Sequence, residues 1–83
     1  MVSLDDFSCY TFDQKCDLII SDSSYVSHRK LGDCKIYLYH AHGFFIEVYY
    51  APSHRRVLMI HAFDGLEGLE LYTEEVSLKE IGF

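Results

Sequence analysis

The sequence predicts an α+β domain in which an N-terminal helix packs on an antiparallel sheet of about four strands and a C-terminal helical segment follows. Residues 35–63 are rich in β-branched and aromatic side chains and are interrupted twice by turn-forming residues, which is typical of consecutive hairpins. Helix-capping patterns occur before and after this region. With 83 residues, the chain is expected to form one domain over residues 1–83, because so short a chain cannot divide its buried surface between two cores.

The N-terminal helix is predicted to begin at Thr11, because Thr11 and Gln14 form a T-x-x-Q capping box. It is expected to end near Ile20, since the polar residues 21–24 compete for backbone hydrogen bonds. Apolar side chains at helical spacing form one stripe, which we expect to face the sheet: Phe12, Cys16, Ile19 and Ile20.

The strand-forming segments give a meander. Gly32 and Asp33 supply a glycine at the first central position of a two-residue turn, as a type II′ turn between the first two strands requires. Short breaks then separate the second, third and fourth strands. The predicted strands cover residues 25–31, 35–40, 44–51 and 55–63.

The register of the second hairpin decides which side chains reach the core, because a slip of one residue turns a whole strand over. A three-residue loop at 41–43, with Gly43 in the left-handed region, pairs Leu38 with Ile46. A two-residue loop would instead place Leu38 opposite Glu47. We expect the three-residue loop, because it collects the aliphatic residues on one face under the helix: Ile36, Leu38, Phe44, Ile46, Val48, Leu58 and Ile60.

The other face of the predicted sheet is too aromatic for a surface that meets only water. It would hold Tyr37, Tyr39, Phe45, Glu47, Tyr49, Val57, Met59, His61 and Phe63. One possible cover is the C-terminal segment, where capping patterns begin at Asp64 and Ser77, although two glycines weaken the first helix. The other is a second copy of the chain, with an interface formed by Tyr37, Tyr39, Phe45, Tyr49 and Met59.

Glu47 is the one carboxylate within the strand 44–51, and His61 is expected on the same face. Apolar surroundings can raise the pKa of a carboxyl group enough for acid or base catalysis, so Glu47 and His61 are the candidate catalytic or ligand-binding pair. The competing interpretation is a structural glutamate that is hydrogen-bonded to a tyrosine. No nucleophile with an evident base completes a catalytic site.

Neither a metal nor a cofactor is predicted. His40 and His42 have the H-x-H spacing of some metal-binding strands, but His42 falls in the expected loop, and Glu47 and His61 project from the opposite face. The three cysteines, Cys9, Cys16 and Cys34, are odd in number and lack C-x-x-C spacing.

The net charge of −6 disfavours nucleic acid as a partner, because binding to phosphates requires a basic surface. No apolar run approaches the roughly 20 residues that a membrane-spanning helix needs, so no membrane association is expected. Acidic residues occupy the place of the basic region of a signal peptide, and we expect a cytoplasmic protein.

The segment IYLYHAHGFFIEVYYAP, followed by VLMIHAF and YTEEVSLKEI, resembles small uncharacterised bacterial proteins. Their middle carries a G-F-F-hydrophobic-E-V-x-Y strand, and the likeness covers roughly the last fifty residues. The resemblance implies one helix on a four-stranded antiparallel sheet and no particular activity.

These observations favour a protein-interaction module that self-associates as a homodimer through its aromatic face. The first alternative is a small-ligand or catalytic site built around Glu47 and His61. The second alternative is an acidic neutraliser of a basic protein, of the antitoxin or immunity type, whose association would be steered by charge.

Overall fold

The computed structural model describes residues 2–65 and 67–72. Two helices, a four-stranded antiparallel sheet in the order β1-β2-β3-β4 and a short 3-10 segment make up this part of the chain. The predicted α+β class, with helical structure preceding a four-stranded antiparallel sheet, is confirmed. The elements are α1 (Leu4–Ser8), α2 (Phe12–Asp22), β1 (Ser24–Leu31), β2 (Cys34–Ala41), β3 (Phe44–Ala51), β4 (Arg56–Phe63) and the 3-10 segment (Glu67–Tyr72).

The helices begin at capping boxes. Thr11 Oγ1 accepts from the Gln14 amide at 3.2 Å, and the Thr11 amide donates to Gln14 Oε1 at 2.9 Å, as predicted for α2. Helix α1 was not predicted, although Ser3 and Asp6 form the same reciprocal arrangement around its first turn.

The apolar side of α2 differs from the predicted stripe. Leu18, which the predicted stripe omitted, is the buried residue of the helix, whereas Phe12 is 52% exposed and Ile20 is 84% exposed. Leu18 packs with Phe7, Ala41 and other residues of the first core cluster. The prediction was wrong for Phe12 and Ile20, whereas Ile19 packs against the core as expected. The helix meets the sheet along the Leu18 side, about half a turn from Ile20.

The register expected for the second hairpin is wrong. The β2–β3 turn has two central residues, His42 (φ 52°) and Gly43 (φ 85°), so that Ala41 pairs with Phe44 and Leu38 pairs with Glu47. Two left-handed residues give a turn whose twist matches that of the strands. The first hairpin follows the prediction, because Gly32 (φ 61°) and Asp33 form its two-residue turn.

The observed register gives the sheet two faces that differ from the predicted ones. The helix face carries Lys35, Tyr37, Tyr39 and Ala41 of β2 with Phe44, Ile46, Val48 and Tyr50 of β3. The carboxylate face carries Ile36, Leu38 and His40 with Phe45, Glu47 and Tyr49. The predicted aliphatic set is therefore divided, since Ile36 and Leu38 lie on the carboxylate face.

Each face has its own core cluster. On the helix face, Phe7, Leu18, Ala41, Phe44 and Ile46 are buried together, and the Phe7 and Phe44 ring centroids are 5.5 Å apart.

On the carboxylate face, Leu69 and Tyr72 of the 3-10 segment bury Leu38 and Phe45. The C-terminal cover predicted from Asp64 is thus a 3-10 segment within the described chain. The predicted continuation to Val76 and the final turn at Ser77 lie outside the described residues.

Candidate functional site

Glu47 lies at the centre of the carboxylate face and is only 5% exposed. Its position in β3 places it between Leu38 of β2 and His61 of β4. A buried carboxylate is costly unless hydrogen bonds or opposite charges replace its lost hydration. Its partners therefore define the candidate site.

Three donors from three different elements surround this carboxylate. The Tyr72 hydroxyl of the 3-10 segment donates to Oε2 at 2.7 Å, and the Arg29 guanidinium of β1 donates to the same oxygen at 3.3 Å. His61 Nδ1 of β4 lies 3.3 Å from Oε1. We call these four residues the Glu47 network: Arg29, Glu47, His61 and Tyr72.

The network changes the acidity of its members. Burial, reinforced by the hydrogen bond to Glu47, raises the pKa of Tyr72 well above its ordinary value. Burial also raises the pKa of the neighbouring Tyr49, and the Glu47 charge adds to that effect. For Arg29, burial lowers the pKa, but contacts with Tyr72 and Glu47 outweigh it and the net pKa is raised.

The network joins the 3-10 segment to the sheet and leaves one member accessible. Tyr72 is buried, but the His61 side chain is 53% exposed. A carboxylate that holds one nitrogen of an imidazole can orient the ring for proton transfer at the other nitrogen. His61 is hydrogen-bonded to Glu47, and its ring stacks with that of Phe63 at a centroid distance of 6.1 Å.

The structure separates the five residues expected to form one interface. Tyr37 and Tyr39 lie on the helix face, whereas Phe45, Tyr49 and Met59 lie on the carboxylate face. Phe45 is fully buried under the 3-10 segment. The expectation of one shared surface is therefore wrong, and the cause is the two-residue turn between β2 and β3.

The two histidines of the H-x-H pair have separate structural contacts. The His40 ring packs on Phe45 with centroids 4.9 Å apart, and His42 Nε2 lies 2.5 Å from Asp22 Oδ2 at the end of α2. Among residues 2–65 and 67–72, no three histidine, cysteine, aspartate or glutamate side chains come together as metal ligands would.

A second candidate site lies on the helix face, where α2 leaves a groove against the sheet. The groove has a volume of about 130 Å³, and Ile20 stands at its rim. Sequence reasoning missed this site, because it placed Ile20 in the core. The lining residues are Cys16, Ile19, Ile20, Tyr39, Val48, Val57 and Ile60.

Beyond this groove the helix face is less covered. Helices α1 and α2 pack on the part of the sheet near the β2–β3 turn. Within the described chain, the first core cluster and its packing partners do not include the side chains further along the same face. We call these side chains the open half: Lys30, Lys35, Tyr37 and Tyr50.

No helix in the described part of the chain is both long enough and apolar enough to span a bilayer. Comparison of the sequence with protein-family models and with curated proteins, and of the structure with solved structures, finds no match. The resemblance of the strand motif to small bacterial proteins therefore stays a prediction.

Proposed function

We propose that the protein is an interaction module that self-associates as a homodimer through its helix face. The observation that carries this proposal is the position of Ile20, which is 84% exposed beside an apolar groove. An isoleucine in water loses the stabilisation of about 1.5–3 kcal/mol that burial of such a side chain provides. A protein partner over the groove would recover it.

The shape of the helix face supports a second copy of the chain as that partner. The helices form a raised layer over one half of the face, and the open half lies lower by about one helix diameter, roughly 10 Å. If a two-fold axis along the groove related the two copies, the helices of each copy would pack on the open half of the other copy. Such a contact is isologous, the type that closes a dimer.

The available area is adequate for this arrangement. The described fold is flat, with extents of 35 × 30 × 19 Å. A face of this size offers roughly 1,000 Å², compared with the ~800 Å² per partner that stable interfaces usually bury. Tyr37 and Tyr39, two residues of the interface expected from the sequence, lie on this face.

The test is an Ile20→Asp substitution, compared with Leu31→Asp as the matched control. Leu31 is also exposed, at 56%, but pairs with Cys34 at the end of the carboxylate face. We expect light scattering to give the molar mass of a dimer for the wild type and for Leu31→Asp. The molar mass of Ile20→Asp should fall towards that of a monomer on dilution. A wild-type protein that is monomeric at every concentration, or dimers lost only in Leu31→Asp, would contradict the proposal.

A second candidate function is a small-ligand or proton-transfer site at the Glu47 network. It is favoured by the 3.3 Å contact between Glu47 and the half-exposed ring of His61. Glu47→Gln should abolish a ligand-induced thermal shift, while Tyr50→Phe, on the other face, should retain it. If no metabolite in a screen shifts the wild-type melting temperature, this candidate fails.

A further inference from the structure

Two lysines lie side by side on the open half of the helix face. Lys30 of β1 and Lys35 of β2 are direct cross-strand partners, and they project to the side that carries Tyr37 and Tyr39. Like charges placed directly opposite in a sheet are destabilising. Neither lysine forms an ion pair with a residue that the structure describes. This arrangement would be stabilised by an anionic partner.

The outer side of α2 offers matching charges. Asp13, Asp17 and Ile20 are spaced at i, i+4 and i+7, so they share one side of the helix. All three are exposed, on the side away from the buried Leu18. Neither aspartate forms an ion pair with residues 2–65 or 67–72.

Charge is distributed unequally over the molecule. Helices α1 and α2 contain five aspartates and one lysine, whereas Lys30, Lys35, Arg55 and Arg56 lie at the opposite end of the sheet, around the β1–β2 and β3–β4 turns. With a net charge of −6, two copies repel each other unless unlike regions meet. A two-fold arrangement along the groove brings unlike regions together.

We propose that Asp13 and Asp17 of each copy pair with Lys30 and Lys35 of the other, so that the acidic side of α2 fixes the register of the homodimer. This inference rests on the proposed self-association and specifies which residues meet. Ile20, on the same side of α2, then enters the groove of the second copy. The proposed interface then has an apolar centre and a charged rim, as is usual in stable interfaces.

Charge reversal tests the pairing. One variant carries Lys30→Glu and Lys35→Glu, and a second carries Asp13→Lys and Asp17→Lys. We expect each variant alone to have a dimer dissociation constant at least tenfold higher than wild type. Mixing the two variants should restore a heterodimer, because both of its charged contacts are then complementary. Wild-type dimers should also weaken as salt concentration rises.

A reversal of Arg55 and Arg56 to glutamate is the control, because it changes net charge by the same amount at the same end of the sheet. It should weaken dimers less than the lysine reversal does. If the wild type is dimeric and Ile20→Asp is monomeric, but mixing gives no heterodimer, the charge pairing is wrong while self-association stands. A monomeric wild type would overturn both. Intact dimers of the lysine variant would also overturn the pairing.

Discussion

Tyr72 donates a hydrogen bond of 2.7 Å to Glu47, 25 residues earlier in the chain. This bond joins the 3-10 segment to the centre of β3, and both residues are buried. The Arg29 guanidinium lies 5.5 Å from the centroid of the Tyr72 ring and bonds to the same carboxylate oxygen. The C-terminal part of the described fold is therefore fixed by polar contacts as well as by apolar burial.

Removing the Tyr72 hydroxyl should measurably destabilise the fold. In Tyr72→Phe the carboxylate loses its shortest hydrogen bond while the ring still packs on Leu38 and Phe45. Hydrogen bonds to charged groups contribute about 1.5–3 kcal/mol, so we expect a loss of about 2 kcal/mol in the free energy of unfolding. Urea denaturation at one protein concentration measures it. Tyr10→Phe is the control, and equal stability of both variants would show that the bond contributes nothing.

In a Tyr72→Phe background, where no buried hydroxyl loses its acceptor, Glu47→Gln should be more destabilising than replacement of Glu47 and Arg29 together by leucine. The single change leaves the largely buried Arg29 without its carboxylate, which costs about 3 kcal/mol when one member of a buried pair is removed. The double change removes both charges, and apolar replacements of buried pairs are often neutral. Thermal unfolding of the two variants gives the comparison, and a double variant less stable than Glu47→Gln would refute it.

Stability should fall in alkaline solution. Burial and the bond to Glu47 raise the pKa of Tyr72 above its ordinary value of 10.0, so the unfolded chain releases this proton at a lower pH than the folded protein. The stabilisation is therefore complete below pH 10.0 and is lost as pH rises above it. Urea midpoints from about pH 9 to about pH 11 should decline more steeply in wild type than in Tyr72→Phe. Parallel curves would argue against the Tyr72 contribution.

Cys16 should react slowly with alkylating reagents. Burial raises the pKa of its thiol, and the charges of Asp13 and Asp17 raise it further, which lowers the reactive thiolate fraction. We expect the exposed Cys9 to be modified first, as measured by mass spectrometry of iodoacetamide-treated protein. Asp13→Asn with Asp17→Asn should accelerate modification of Cys16 in dilute protein. Faster labelling of Cys16 than of Cys9 in wild type would contradict this prediction.

Short sequence patterns predicted where several of the helices, strands and turns begin. Thr11 and Gln14 marked the start of α2, and Gly32 marked the first hairpin turn, because both depend on residues close in the chain. The register of β2 and β3 could not be obtained in this way. The prediction chose the register that collects most aliphatic residues on one face, and so it excluded the pairing of Leu38 with Glu47. In the structure that pairing is present, and Glu47 is stabilised by Tyr72 and other residues distant in the sequence.

The candidate sites were predictable to different degrees. Alternation along the strands brought Glu47 and His61 to one face, and the structure places them in contact. The bond from Arg29 depends on a strand two positions away in the sheet, and no short pattern signals it. The exposure of Ile20 was missed because its spacing in α2 is compatible with a core position. Whether Ile20 is buried or exposed depends on the orientation of the helix on the sheet, which the spacing does not give.

The burial of Glu47 also bears on how the hairpin selects its alignment during folding. If β3 slipped by one residue against its neighbours, the carboxylate would move beneath α1 and α2, among Phe7, Leu18 and Ala41, where the first core cluster offers it no donor. Misaligned chains would then carry an unsolvated charge, while the native alignment supplies a guanidinium, an imidazole and a phenol. The charge of one acidic side chain therefore disfavours the competing strand alignment.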